Sequence, residues 1–151
     1  MKQKIQKVSR KVLLNEFYPV EKVYIQTQDQ EFDRLLCKAK SAVVVLVKNT
    51  DEDCFYFVRQ IRTCKVEEPD PTLMELPAGM IEKEEQLEET VIRECEEEIG
   101  FTPQNIQYNG WAWSAPGILT EKMHYFYAEV RNDNRVGTGG GNEAEHENIE
   151  V

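Results

Sequence analysis

Within the segment IRECEEEIG (residues 92–100), Glu94 and Glu98 stand one helical turn apart, with Glu97 alongside. In a helix the first two project from the same face. Three packed like charges repel one another and make a poor structural device. They make a good site for a hard divalent cation, which prefers carboxylate oxygens. Upstream, Leu76-Pro77-Ala78-Gly79 reads as a strand end running into a glycine turn. Gly79 is expected to permit the turn and leave the Ala78 carbonyl facing the same cation. Arg93 lies in an acidic field, nine glutamates against two basic residues between Glu82 and Glu98. Its fork can hold a carboxylate by a bidentate pair and orient the cluster. The alternative is a solvated, glutamate-rich helix face with no chemistry.

These residues need a helix to carry them, and the spacing predicts one over 85–99. Leu87, Val91, Ile92, Cys95 and Ile99 fall within an arc of about 140° on the helical wheel, and Gly100 stops the helix. Around it lie strand-like segments. Residues 11–14 and 20–27 come first, and 41–48 (SAVVVLVK) is a β-branched run suited to a buried central strand. Residues 54–60 read as its hairpin partner after a polar turn, and 63–72 as a loop. Residues 107–113 and 122–131 are strand-like on either side of an Ala115-Pro116-Gly117 turn. Trp111 and Trp113 share a strand face and are assigned to the core. Residues 136–141 (VGTGGG) read as a flexible glycine loop ahead of an acidic segment, 142–147. Strands on both sides of one acidic helix predict a mixed α/β or α+β sandwich.

Composition bounds the rest. A chain of 151 residues, 40% apolar and 30% charged, suits one globular domain. No apolar run approaches the roughly 20 residues that span a bilayer, and the basic start lacks a secretory signal's apolar stretch. The expectation is no membrane and a cytoplasmic location. Four scattered cysteines (Cys37, Cys54, Cys64, Cys95) read as reduced structural thiols. A net charge of −10 argues against a nucleic-acid partner, but not against a small phosphorylated ligand reached through cations. The chain ends at Val151 in what reads as the start of a strand, so it is expected to be part of something longer.

Spacing decides between the two readings of the acidic helix. Gly79, five residues to Glu85, seven to Arg93-Glu94, then Cys95, Glu97-Glu98 and Gly100-Phe101 reproduce the Nudix box. Cys95 departs from it, standing where the pattern asks for a bulky aliphatic residue. The whole chain resembles the ADP-ribose and nucleoside-diphosphate-sugar pyrophosphatase branch of Nudix hydrolases. Glu75-Leu76-Pro77-Ala78-Gly79 is similar to that branch's ELPAG, Arg59-Gln60-Ile61-Arg62 to its RQ-x-R strand end, and Pro116, sixteen residues beyond Gly100, to its distinguishing proline. Gly139-Gly140-Gly141 with the acids that follow resembles GDP-mannose and UDP-glucose members.

The resemblance implies an α+β fold, the α/β/α Nudix sandwich, with the Nudix helix packed on a mixed sheet and N-terminal antiparallel strands in front. Residues 1–40 would be a dimerising strand region and 41–151 the Nudix domain. It implies Glu94, Glu98, Glu147 and the Ala78 carbonyl as ligands of Mg²⁺, with Mn²⁺ able to substitute. Glu145 would be the general base and Glu97 a further catalytic carboxylate. His146, between Glu145 and Glu147, is read as a surface histidine. Arg62 would clamp phosphate, Glu121 would contact the sugar, and Phe17 would stack on the nucleobase, with core packing its alternative. The reaction implied is Mg²⁺-dependent hydrolysis of a nucleotide sugar, ADP-ribose first, by a homodimer. Another diphosphate substrate and a non-catalytic Nudix-like binding module are the competing readings. The box carboxylates are all retained, which favours catalysis.

Overall fold

The structure, a computed structural model, describes residues 4–142 and 147–151. The chain divides into two units: Met1–Ser41 with Ala112–Lys122, and Ala42–Trp111 with Met123–Val151.

The first unit carries β1 (Ile5–Leu14), β2 (Val20–Thr27) and β3 (Glu31–Cys37), an antiparallel sheet in that order. The sequence marked β2 and only the end of β1, and it missed β3. Charged Glu31, Asp33 and Arg34 break the apolar alternation of that strand. Pairing depends instead on the turn before it, where Thr27 Oγ1 accepts the Gln30 N–H at 3.2 Å. On β2, Glu21 is buried but paired with Lys38 and Arg10, whose hydrogen bonds hold its carboxyl below the ordinary range. All ten residues of β1 are exposed, including Val8, Val12, Leu13 and Leu14. In the segment Ala112–Lys122, Ile118 and Leu119 N–H groups both donate to the Ala115 carbonyl, closing the expected turn.

The second unit is built on β4 (Ala42–Asn49). It runs antiparallel to β5 (Cys54–Phe55) and β8 (Ala78–Met80) and parallel to β10 (Lys122–Val130), with β9 (Gln104–Trp113) beyond β10. Alternation puts Val43, Val45 and Val47 of β4 and Phe126, Ala128 and Val130 of β10 into one core. Against them packs α1 (Leu87–Ile99) through Val91, Cys95 and Ile99. Cys95 is fully buried, so the shorter side chain is accommodated as a small hydrophobe. A capping box between Gln86 and Glu89 starts α1, and Gly100, at φ 77°, ends it. The described residues supply one helical layer on this mixed sheet, and none of their helices is long and apolar enough to cross a membrane.

Three expectations need correction. The single strand over 54–60 is two pieces: the Tyr56 N–H still donates to the Val47 carbonyl of β4 at 3.1 Å, whereas β6 (Val58–Ile61) pairs with β7 (Thr72–Glu75). Thr72 therefore opens a strand rather than closing a loop, and Thr63–Lys65 forms a 3-10 turn. Trp111 and Trp113 are not core: they are 48% and 45% exposed. Gly110, at φ 101°, stands just before them in β9, and Lys122 Nζ sits 5.1 Å from the Trp113 ring.

Candidate functional site

The polar side of α1 gathers around Arg93. Its Nε and one terminal nitrogen form a fork onto Glu85 at 2.9 and 3.1 Å. The other terminal nitrogen reaches Glu94 at 2.7 Å and Glu97 at 3.3 Å, and the Met80 carbonyl accepts a further bond at 3.1 Å. One guanidinium thus ties the residues before the helix to two of its carboxylates. Arg93 beside Glu85 pulls that carboxyl down to about 2, so it stays ionised and keeps the fork closed.

Glu94 and Glu98 behave differently. Both are buried. Burial, opposed by Arg93, pushes the Glu94 carboxyl up to about 7. Burial likewise pushes Glu98 up to about 8, against the Ala78 N–H bond at 2.9 Å, with Glu94 and Glu147 adding repulsion. Among the described residues, Glu98 Oε1 is buried without a hydrogen-bond partner. A buried acceptor left unpaired costs about 1–3 kcal/mol, so its persistence points to a ligand.

Gly79 explains how Glu94 fits. It lies in β8 without a positive φ, so the expectation that it serves a tight turn is corrected. A Cβ there would fall 1.8 Å from Glu94 Oε1. The glycine makes room for a carboxylate, which the spacing of the motif cannot reveal.

Around this pair come two further sequence-marked residues. Arg62 forms a fork onto Glu75, with Nε 3.0 Å from Oε1, and Glu75 holds its guanidinium above the ordinary range while Glu98 and Glu147 add to the same pull. Glu147 is half-buried, its Oε2 accepting the Asn142 N–H at 3.0 Å. Its charge bears on both Glu94 and Glu98. The structure therefore brings Ala78, Glu94, Glu97, Glu98, Glu147 and Arg62 into one electrostatic neighbourhood. The expected loop at 136–141 is bonded rather than free: Gly140 and Gly141 N–H groups donate to the Glu98 and Glu97 carbonyls, each at 3.0 Å.

Phe17 and Glu121 belong to the other unit. Phe17 is 69% exposed and packs edge-on against Tyr18 with centroids 4.7 Å apart, which rules out the core alternative. Glu121 is half-buried, its carbonyl accepting the Ser114 N–H at 3.3 Å. Glu145 and His146 lie outside the described residues. Sequence reasoning missed the partners. Glu75 was legible only as a letter in ELPAG, and Glu85 as one in the box. Neither spacing says which arginine each would hold.

Among the described residues no three acidic, histidine or cysteine side chains already converge as a ready-made ligand set. Glu94 is turned to Arg93 and Glu147 to Asn142 N–H. The donors nevertheless fit a hard cation: all are oxygens, three of the groups carboxylates, and one Glu98 oxygen is buried with no partner among the described residues.

A mixed sheet carrying one acidic helix, its carboxylates gathered by a single arginine, defines a Nudix-type domain. A family model for the NUDIX domain matches residues 38–151, and the chain belongs to that family. Its relatives include the ADP-ribose pyrophosphatase of Haemophilus influenzae, 34% identical over 134 residues, covering 86% of this chain and 61% of the relative. The ADP-ribose pyrophosphatase of Bacillus subtilis is 38% identical over 64% of this chain and 49% of its own. The GDP-mannose pyrophosphatase of Salmonella arizonae is 33% identical over 74% and 58%. The chain thus spans less than two thirds of these relatives' length. A crystal structure of an ADP compounds hydrolase shares the fold, with a TM-score of 0.74 over 99% of this chain and 76% of its own at 18% identity.

Proposed function

We propose that the protein hydrolyses the diphosphate bond of a nucleoside-diphosphate sugar, ADP-ribose in preference, to a nucleoside monophosphate and a sugar phosphate. The observation that carries this reading is the buried, unpartnered Glu98 Oε1 set beside Glu94 and Glu147. Relatives named ADP-ribose and GDP-mannose pyrophosphatases support the substrate class.

In this reading Glu94, Glu98 and Glu147, with the Ala78 carbonyl, hold Mg²⁺ or Mn²⁺. When bound, the cation neutralises charge on the diphosphate and activates water. Arg93 holds Glu94 and Glu97 in place for that task. Arg62, pre-set by its fork onto Glu75, binds a phosphate. Glu145 takes the proton from the attacking water, and Glu97, close to Arg93, is the second catalytic carboxylate. Phe17 stacks on the nucleobase and Glu121 contacts the sugar.

The assembly proposed is a homodimer, supported by the exposed apolar residues of β1. The location proposed is the reducing cytoplasm, which suits four free cysteines. The overall charge of −10 disfavours nucleic acid. GDP-mannose as the main substrate is the second reading, favoured by the GDP-mannose pyrophosphatases among the relatives.

Incubation with Mg²⁺ and a panel of ADP-ribose, GDP-mannose, UDP-glucose, a dinucleotide and a nucleoside triphosphate tests the reading. Release of a monophosphate from a nucleotide sugar is expected. Turnover of the triphosphate or dinucleotide alone, or of nothing, would overturn it.

A further inference from the structure

The three glycines after Thr138 do different things. All have positive φ: 70° at Gly139, 113° at Gly140 and 87° at Gly141. Gly140 and Gly141 donate their N–H groups to the Glu98 and Glu97 carbonyls, which lie in the last turn of α1 and lack helical partners. A Cβ at Gly139 would fall 2.4 Å from the Glu98 carbonyl oxygen. At Gly140 no described atom lies closer than the Ile149 carbonyl oxygen at 3.9 Å. At Gly141 a Cβ would fall 2.7 Å from Glu147 Cβ and 2.9 Å from Glu147 Oε2. That collision involves the root of the side chain, so rotating the carboxylate away does not relieve it.

Glu147 is held on its other sides too. Its Oε2 accepts the Asn142 N–H at 3.0 Å, and its own N–H donates to the Asn142 carbonyl at 3.2 Å. Two residues on, Ile149 enters the core and donates its N–H to the Gly140 carbonyl at 3.0 Å. The chain therefore leaves the end of α1, sets Glu147 against Gly141 and returns to Gly140.

We propose that Gly141 is a positioning residue for the cation site: the space of its missing side chain is where Glu147 sits. The glycine bracket clamps that carboxylate to the helical turn bearing Glu98. In this arrangement the loop sets the register between a helix carboxylate and a loop carboxylate, and does not act as a hinge. The inference rests on the reading of Glu147 as a cation ligand.

Gly140→Ala provides the control, since it too places a side chain at a positive φ but does not meet Glu147. Mn²⁺ affinity, followed by electron paramagnetic resonance titration without substrate, and Tm are measured for both variants, for Glu147→Gln and for Gly141→Ala/Glu147→Gln. Both alanine variants should lower Tm, Gly141→Ala the more, because its Cβ also meets Glu147 Cβ at 2.7 Å and Ile149 Cδ1 at 3.0 Å. Gly141→Ala should weaken Mn²⁺ about 10–100-fold, as loss of an orienting partner does, while Gly140→Ala stays within about threefold. In the Glu147→Gln background, Gly141→Ala should add no further loss beyond that of Gly140→Ala. Equal Mn²⁺ affinity in the two alanine variants, with Glu147→Gln weakened, would overturn the proposal alone. Wild-type affinity in Glu147→Gln would overturn the ligand assignment and the proposal with it. Should Gly141→Ala not fold, Gly141→Ala/Glu147→Gly removes the collision with the Glu147 side chain, and failure of that pair to regain the fold would refute the steric argument.

Discussion

Glu98→Gln should make the metal-free protein more stable at high pH while disabling it. The Glu98 carboxyl lies at about 8 in the folded chain against an ordinary 4.5. Metal-free, the folded protein keeps that proton until pH approaches 8, whereas the unfolded chain releases it above 4.5. Folding therefore takes up a proton between these values, and stability falls as pH rises through that window. Each pH decade is worth about 1.4 kcal/mol, so the full loss by pH 9 is on the order of 3–5 kcal/mol, part of it shared with Glu94 beside it. Glutamine carries no proton to lose, and its side-chain oxygen can still accept the Ala78 N–H. Urea unfolding at pH 4 and pH 9 with chelator present should show the variant near wild type at pH 4, below the window. At pH 9 it should be more stable by a few kcal/mol. Added Mg²⁺ should stabilise the wild type more than the variant and narrow the gap, because a ligand at 100 times its Kd stabilises by about 2.7 kcal/mol and the variant has lost a donor. Turnover should fall by several orders of magnitude. Parallel pH profiles for the two proteins, an equal Mg²⁺-induced shift, or turnover within tenfold of wild type would refute the reasoning.

Other outcomes follow from the same geometry. Gly79→Ala should displace the Glu94 carboxylate from its 1.8 Å overlap, costing at most about 1–3 kcal/mol of stability but weakening Mn²⁺ about 10–100-fold; unchanged affinity by titration would show that the carboxylate has room to spare. Arg62→Lys breaks the fork onto Glu75 and should raise KM for the nucleotide sugar more than it lowers kcat, since lysine is not a bidentate donor; a pure kcat effect would remove Arg62 from phosphate binding. Glu145→Gln should slow turnover without loss of Mn²⁺ binding, and a damaging His146→Ala beside a silent Glu145→Gln would reassign the base. Light scattering should give a dimer, and a mixed dimer of Phe17→Ala and Glu98→Gln chains should retain one intact site if Phe17 crosses to the partner; a fully active monomer at micromolar concentration would end that idea.

The sequence by itself determined the parts whose logic is local. The spacing of Leu87, Val91, Cys95 and Ile99 marked both the helix and its buried side, because a 3.6-residue period is imposed by the backbone. Gly100 marked its end, since the left-handed cap favours glycine. The valine run 43–47 marked the central strand, because alternate side chains must reach the same core. The identities and order of Glu85, Arg93, Glu94, Glu97 and Glu98 marked the acidic cluster. What the tertiary structure alone decided depends on residues far apart in sequence. Strand β3 pairs against its own charge pattern because a turn delivers it to β2. Trp111 and Trp113 remain partly exposed although their alternate spacing suits a strand face turned to a core. The role of Gly79 is set by Glu94, fifteen residues later. The forks of Arg62 onto Glu75 and of Arg93 onto Glu85 were equally beyond the sequence. Charge alone leaves many pairings open among 28 acidic side chains. The fold chooses one by bringing two backbones within reach, and by burial it turns two of those carboxylates into groups that hold their protons near neutral pH.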